Sequence, residues 1–144
     1  MNNTPVPPDL QASLLCDDVR QERNGKFILI GIFDIIGVPS LPMVFPRVCV
    51  VNRWCCGSGE FQQRSRLFRP DGVRALMEGK PVAIRLPGDE ATATSVEVFM
   101  NVRIEEEGTH WVEVLLDGDL KLRYPLRVSV IKPPPGHEPP APPG

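Results

Sequence analysis

Residues 95–104 read SVEVFMNVRI, and this stretch decides the fold class. Every second position carries an apolar side chain: Val96, Val98, Met100, Val102 and Ile104. Successive side chains of a strand point to opposite faces of its sheet, so a period of two is the signature of a half-buried β-strand. The stretch therefore predicts a β-strand with one apolar face turned toward the core.

Working outward, seven further segments are typical of strands because they are rich in β-branched and aromatic residues. They are residues 12–19, 26–36, 44–54, 61–68, 82–86, 110–116 and 120–130. Residues 73–79 predict one short helical turn, and no window carries an amphipathic helical pattern over three turns. Short strands separated by glycine and proline predict an all-β protein, an antiparallel β-sandwich of about seven to nine strands.

The turns suggest how the last strands pair. A five-residue loop at 105–109 places Met100 opposite Val114, and a three-residue loop at 117–119 places Val114 opposite Leu122. Both registers keep apolar side chains on one face, so they predict a three-stranded meander. The segment 26–36 is apolar on both faces and predicts a central strand buried on both sides.

The outer face of this meander is the strongest candidate for a binding surface. The chosen registers place five side chains there that are typical of interface hot spots or their surroundings. They are Phe99, Arg103, Trp111, Leu115 and Arg123. A solvent-facing sheet surface is normally polar, so either other strands cover this face or a partner protein, including a second copy of the chain, binds to it.

Composition limits the class of protein. The 144 residues suffice for one domain, with 42% hydrophobic residues, a net charge of −2 and a pI of about 5.7. This balance argues against generic binding to nucleic acid or to an anionic membrane. Neither a signal peptide nor an apolar run of membrane-spanning length is present, so we expect a cytoplasmic protein.

The ends of the chain differ from its middle. Residues 1–11 are polar and rich in proline, and we expect them to be flexible. Residues 12–131 form the predicted β-sandwich domain. Residues 132–144 include many prolines and little that a core could bury, which predicts a disordered tail with polyproline II character.

Three aspartates suggest an alternative function. Asp17, Asp18 and Asp34 would approach one another if residues 24–25 form the turn of a hairpin, and carboxylate oxygens are the ligands that calcium prefers. No calcium-loop motif accompanies them, and the ordinary interpretation is an ion pair with Arg20.

The four cysteines suggest another alternative. Cys16, Cys49, Cys55 and Cys56 lack the spacing of a zinc site, and in a cytoplasmic protein they default to reduced thiols. Buried thiols are the ordinary interpretation. Cys55 and Cys56 precede a glycine-rich turn, so they are the candidates for a redox sensor or a cysteine-dependent enzyme, with His110 as a possible base.

Several short motifs resemble a known family. They are LCDDVR at 15–20, NGK at 24–26, LIGIFD at 29–34, FRPDG at 68–72, HWV at 110–112, LDG at 116–118 and PLRV at 125–128. Together they resemble an uncharacterised bacterial domain family over roughly residues 12–130. The resemblance implies a bacterial source and an immunoglobulin-like sandwich, and it brings no functional residue with it.

No phosphate loop, dinucleotide fingerprint or catalytic triad order is present. The sequence therefore favours a non-catalytic module without a cofactor that binds another protein. A module that binds calcium or a small ligand, and a cysteine-dependent redox sensor or enzyme, remain as alternatives.

Overall fold

The computed structural model describes residues 4–132, which form ten strands. These are β1 (Asp9–Gln21), β2 (Phe27–Phe33), β3 (Ile35–Val38), β4 (Met43–Cys55), β5 (Gly59–Phe68), β6 (Ala75–Glu78), β7 (Val82–Leu86), β8 (Thr92–Ile104), β9 (Gly108–Leu116) and β10 (Asp119–Val130). Within this part of the chain, no helix is long and apolar enough to cross a membrane.

The strands form two sheets, which confirms the predicted all-β sandwich with one strand more than expected. One sheet has four strands in the order β2-β1-β4-β8, and the other has six, with the path β3-β10-β9-β5-β6 and β7 paired with β5. Neighbouring strands are antiparallel except β3 and β10, which are parallel. The immunoglobulin-like classification stays a prediction, and the predicted tail lies outside the described residues apart from its first residue.

Apolar side chains of the two sheets meet in two adjoining clusters. The larger contains Val50 and Phe99 from the four-stranded sheet and Leu126 from the other. The smaller surrounds Trp54, which is fully buried. Tyr124 packs against both clusters and so joins them.

The predicted meander is wrong in one of its two hairpins. β9 and β10 do pair, with Val114 opposite Leu122 as expected, but the predicted three-residue loop is wrong: the turn is 117–118, with Leu116 opposite Asp119, and a register shift before Leu122 restores the pairing. However, β8 pairs with β4, so Met100 lies opposite Arg47. Periodicity within one strand identifies its faces but carries no information about which strand lies beside it, and here the loop after β8 crosses to the other sheet.

Even the faces of β8 change along its length. Asn101 adopts a left-handed backbone conformation with φ of 54°, which interrupts the alternation. Phe99 before it and Val102 after it both point into the core, whereas Met100 is 56% exposed. The predicted single apolar face of residues 96–104 is therefore wrong.

Two further predictions are corrected. The segment 26–36 is not one central strand, because it divides at Asp34 into β2, at the edge of one sheet, and β3, in the other sheet. The hairpin before it is not closed by a two-residue turn at 24–25, because Gln21 lies opposite Phe27 and residues 22–26 connect the two strands.

The short helical turn predicted at residues 73–79 is instead mostly β6. Asp71 accepts hydrogen bonds from the backbone N–H groups of Val73 and Arg74 and tightens the turn that leads into the strand. At the start of the chain, β1 begins at Asp9 and Val6 forms a β-bridge with Ser58, so this part of the segment expected to be flexible is joined to the sandwich.

Candidate binding surface

The most unusual local structure is a two-stranded arm that leaves the four-stranded sheet. β1 pairs with β4 only as far as Cys16, whereas its residues 18–21 pair with β2 alone. Gly31 lies at the departure point with φ of 70°, and a Cβ atom there would overlap the carboxylate of Asp17. Glycine is needed at this bend for both reasons. We call residues 18–30 the arm.

The arm packs on the outer face of the sheet from which it departs. Val19 and Leu29 of the arm contact a small apolar cluster formed by Cys16, Cys49 and Val51. This cluster lies on the side of the sheet opposite the main core, because Val50 points into that core. The arm thus covers the middle of a sheet face that would otherwise be exposed.

A groove of about 700 Å³ runs beside the β2 strand of the arm. Its lining comes from the arm, β1, β4 and β8: Ala12, Leu14, Asn24, Gly25, Lys26, Phe27, Leu29, Val51, Arg53, Thr92 and Thr94. Aliphatic and aromatic side chains form much of this surface, while threonine hydroxyls and two cations provide polar contacts. We call it the arm groove.

The charge of the arm groove is positive, although the whole chain carries a net charge of −2. Lys26 and Arg53 line it, and no aspartate or glutamate does. The Arg53 Nη2 atom donates a long hydrogen bond of 3.4 Å to Thr92 Oγ1. Among residues 4–132, no carboxylate oxygen lies within ion-pair distance of either cation.

The strand that borders the groove has a free edge. β2 is the terminal strand of its sheet, with β1 as its only described neighbour. Its isoleucines are unusually accessible, with exposed fractions of 44% for Ile28, 45% for Ile30 and 58% for Ile32. Natural proteins usually protect such apolar edges with charges, proline or a covering segment. None of these is present within β2.

The structure brings together only part of the binding surface predicted from the sequence. Trp111, Leu115 and Arg123 lie on the outer face of the six-stranded sheet, where the Arg123 guanidinium sits 4.3 Å from the centre of the Trp111 ring. Phe99 is buried in the main core, and Arg103 lies on the other sheet, bonded to Glu105 at 3.0 Å. The five residues therefore do not form one surface.

Several charged groups on the outer face of the six-stranded sheet pair with one another. Glu113 accepts a hydrogen bond of 2.6 Å from Arg66 and lies 4.0 Å from Arg123. The Arg66 guanidinium also lies over the Phe68 ring at 5.1 Å. These contacts give Arg66, Arg123 and Glu113 partners within the face, although the Nε atoms of Arg64 and Arg66 are buried without a hydrogen-bond partner.

The three predicted calcium ligands are not assembled. Asp18 bonds Arg20 at 2.9 Å and lies 3.4 Å from Arg47, and these contacts, that with Arg20 first, lower the pKa of its carboxyl group. Asp17 packs beside Gly31, and the backbone of Asp34 bonds Arg127 of the other sheet. Residues 4–132 contain no group of three or more candidate ligands placed to hold a metal ion.

The four cysteines form two separate pairs, and the members of each pair are neighbours. Cys16 and Cys49 are buried and directly opposite each other on β1 and β4. Cys55 and Cys56 are adjacent at the end of β4, and Cys56 is exposed. His110, the possible base, is buried on β9 in the other sheet, where its Nδ1 lies 3.3 Å from the Gly108 carbonyl oxygen.

A polar network inside the sandwich was not recognised from the sequence. Gln63 accepts hydrogen bonds from Asn52 at 2.8 Å and from Trp54 at 3.4 Å, and it donates one to Glu97 at 2.6 Å. Asn52 also donates to Ser65 at 2.9 Å. The sequence did contain a signal for it, because Asn52 shares a sheet face with the buried residues two positions before and two positions after it in β4.

Comparison with known proteins places the chain in a family. Residues 11–129 match the model of a family of unknown function, DUF6941. The chain belongs to this family. The resemblance noted in the sequence is confirmed to this extent, since a DUF6941 protein is an uncharacterised domain. A search of curated proteins finds no match to this DUF6941 chain.

Among solved structures, the DUF6941 chain is similar to the alkylpurine DNA glycosylase AlkC of Pseudomonas fluorescens, bound to DNA containing an abasic site analog. The sequence identity is 11% and the TM-score is 0.43. The match covers 85% of the DUF6941 chain but only 30% of the glycosylase chain.

Proposed function

We propose that this protein is a non-catalytic binding module that holds an extended segment of a partner protein in the arm groove, paired with the free edge of β2. The observation that carries this proposal is an exposed apolar edge strand beside an open, positively charged groove. An unpaired edge offers backbone donors and acceptors to an added strand, and a neighbouring groove accepts its side chains.

The backbone contribution comes from the arm strand that borders the groove. Phe27 and Leu29 line the groove, whereas Ile28 and Ile30 alternate with them and are exposed. A strand added beside residues 27–30 would gain hydrogen bonds from the β2 backbone. It would also cover the exposed isoleucines, which contributes favourable apolar burial.

The side-chain contribution defines the chemistry of the partner. Leu14 and Val51 offer an apolar surface, and Lys26 and Arg53 offer two cations without carboxylate partners. A segment with apolar side chains at alternate positions and an aspartate or glutamate near the cations fits both features. Charges at the rim of an interface mainly set specificity and the association rate.

The first experiment selects a random peptide display library against the full chain. The proposal expects enriched peptides to share alternating apolar residues and at least one acidic residue. Absence of enrichment, or enrichment of basic peptides, would contradict it.

Charge-reversal variants then locate the site. Binding of a selected peptide, measured by fluorescence anisotropy, should weaken about tenfold or more in Arg53→Glu, a change of about 1.4 kcal/mol. Lys121→Glu is the matched control, because Lys121 is an exposed cation on β10 in the other sheet. Equal affinities of the two variants would place the peptide elsewhere and refute the arm groove as its site.

A further inference from the structure

The end of β4 carries two cysteines that are adjacent in the sequence, Cys55 and Cys56. Neighbouring side chains of a strand point to opposite faces, so adjacent cysteines in a regular strand cannot touch. Here Cys56 adopts a left-handed conformation with φ of 62°. The neighbouring Cys56 thiol, followed by burial, raises the pKa of Cys55.

This backbone conformation is unfavourable for a residue other than glycine. Gly57 follows immediately, yet the left-handed position is held by a cysteine. The left-handed residue departs from the alternation of a regular strand, and of the two adjacent thiols one is half-buried and one is exposed to solvent.

We propose that Cys55 and Cys56 form a redox-active dithiol that is oxidised to a disulfide between adjacent residues by a low-molecular-weight disulfide. The exposed Cys56 loses its proton and its thiolate attacks one sulfur of the oxidant. A mixed disulfide forms and one thiolate of the oxidant leaves. Cys55 then loses its proton and attacks the Cys56 sulfur, which releases the second thiolate. The protein loses two electrons and two protons, and the oxidant is reduced to two thiols.

The surrounding structure connects this step to the start of the chain. A Cβ atom on Gly57 would lie 2.5 Å from the Val6 carbonyl oxygen and 2.7 Å from the Pro8 backbone. Val6 and Ser58 exchange two backbone hydrogen bonds of 2.8 and 2.9 Å. Closing a small ring at residues 55–56 reorients the backbone next to these contacts, so oxidation loosens the bridge between Val6 and Ser58.

The other cysteine pair provides an internal comparison. Cys16 and Cys49 are opposite each other on paired strands, but they are 0% and 1% exposed beneath the arm. Burial raises the pKa of Cys16 to about 11, so its thiolate is scarce at neutral pH. An oxidant in solution therefore reaches Cys56 and not this pair.

The test treats the folded full chain with oxidised glutathione and measures its intact mass. We expect a decrease of about 2 Da, two alkylatable thiols instead of four after denaturation, and a disulfide mapped to residues 55–56. Cys55→Ser should stop at a glutathione adduct on Cys56, because the resolving thiol is absent. Cys16→Ser, the control, should oxidise like the wild type.

Three outcomes would overturn the proposal: a persistent glutathione adduct on the wild type, a disulfide between Cys16 and Cys49, or a disulfide between two chains. Hydrogen exchange provides the second readout. The amides of Val6 and Ser58 should exchange faster after oxidation and should be restored by a reductant. Unchanged exchange in a protein with the 55–56 disulfide would refute the connection to the bridge.

Discussion

The phenol of Tyr124 should titrate well above its ordinary range. Its Oη atom lies 2.9 Å from Ser13 Oγ, and its ring packs against both core clusters between the two sheets. Burial penalises the charged phenolate and raises the pKa from 10 to about 12. Because the chain contains a single tyrosine, its titration can be observed without overlap from others.

The shift also predicts how stability changes with pH. Between about pH 10 and pH 12 the unfolded chain loses the phenolic proton while the folded chain retains it. The contribution is complete below the unfolded pKa and is lost as the pH rises through this window. Two pKa units correspond to about 2.7 kcal/mol, so the free energy of unfolding should fall by that order between the two pH values.

The assay is the near-ultraviolet absorbance of tyrosinate, recorded with the combined fluorescence of Trp54 and Trp111 as a monitor of folding. Ser13→Ala is the informative variant, because the hydrogen bond from Ser13 lowers the pKa and its removal should move the midpoint higher. A wild-type midpoint near pH 10 with unchanged tryptophan fluorescence would refute the inference that the Tyr124 phenol is desolvated between the sheets.

Two further predictions concern stability and use urea denaturation. Burial lowers the pKa of His110. The contribution of neutral His110 to the free energy of unfolding should be complete above about pH 6.5 and should decline at lower pH, where the unfolded chain gains a proton. His110→Gln should lose this pH dependence, and an unchanged slope in the variant would argue against His110 as its source. Gly79→Ala should cost about 1–3 kcal/mol because its Cβ would overlap Glu97 Oε2 and lie 3.0 Å from the Ser65 carbonyl oxygen. Gly88→Ala, with no atom within 4 Å of its Cβ, should stay within about 0.5 kcal/mol of the wild type, and equal effects of the two variants would contradict the close packing at Gly79.

The sequence predicted the fold class and most strand positions because both depend on local alternation and turn residues. The pairing of β9 with β10 was predictable because a short loop joins two strands with consistent faces, but its loop length was not, since a bulge between Leu120 and Leu122 offsets the shorter turn. The partner of β8 was not, because no local pattern distinguishes a hairpin from a crossing to the other sheet. The change of faces at Asn101 was not predictable either, since asparagine tolerates a left-handed conformation without requiring it.

The candidate site was missed for a related reason. Apolar residues on both faces of 26–36 were interpreted as burial on both sides, but in β2 they instead mark an exposed edge and an arm. Gly31 was the available signal, because a glycine inside a strand often marks a bend or the close approach of another group. Its contact with Asp17 depends on the pairing of β1 with β2, which no single segment of sequence specifies.

The two outer faces of the sandwich differ in how far their apolar side chains and cations have partners. This difference shifts the predicted binding surface from the six-stranded sheet to the arm groove. On the six-stranded sheet, Arg123 covers Trp111 and pairs with Glu113, so these three side chains have partners within the face. On the four-stranded sheet, the arm covers the centre but leaves its own edge unpaired, with Ile30 exposed and Arg53 without a carboxylate partner among the described residues. A partner bound to the first face would have to displace contacts that already exist, whereas one bound at the arm would complete contacts that are missing. This contrast is the reason we propose the arm groove, rather than the outer face of the six-stranded sheet, as the binding surface.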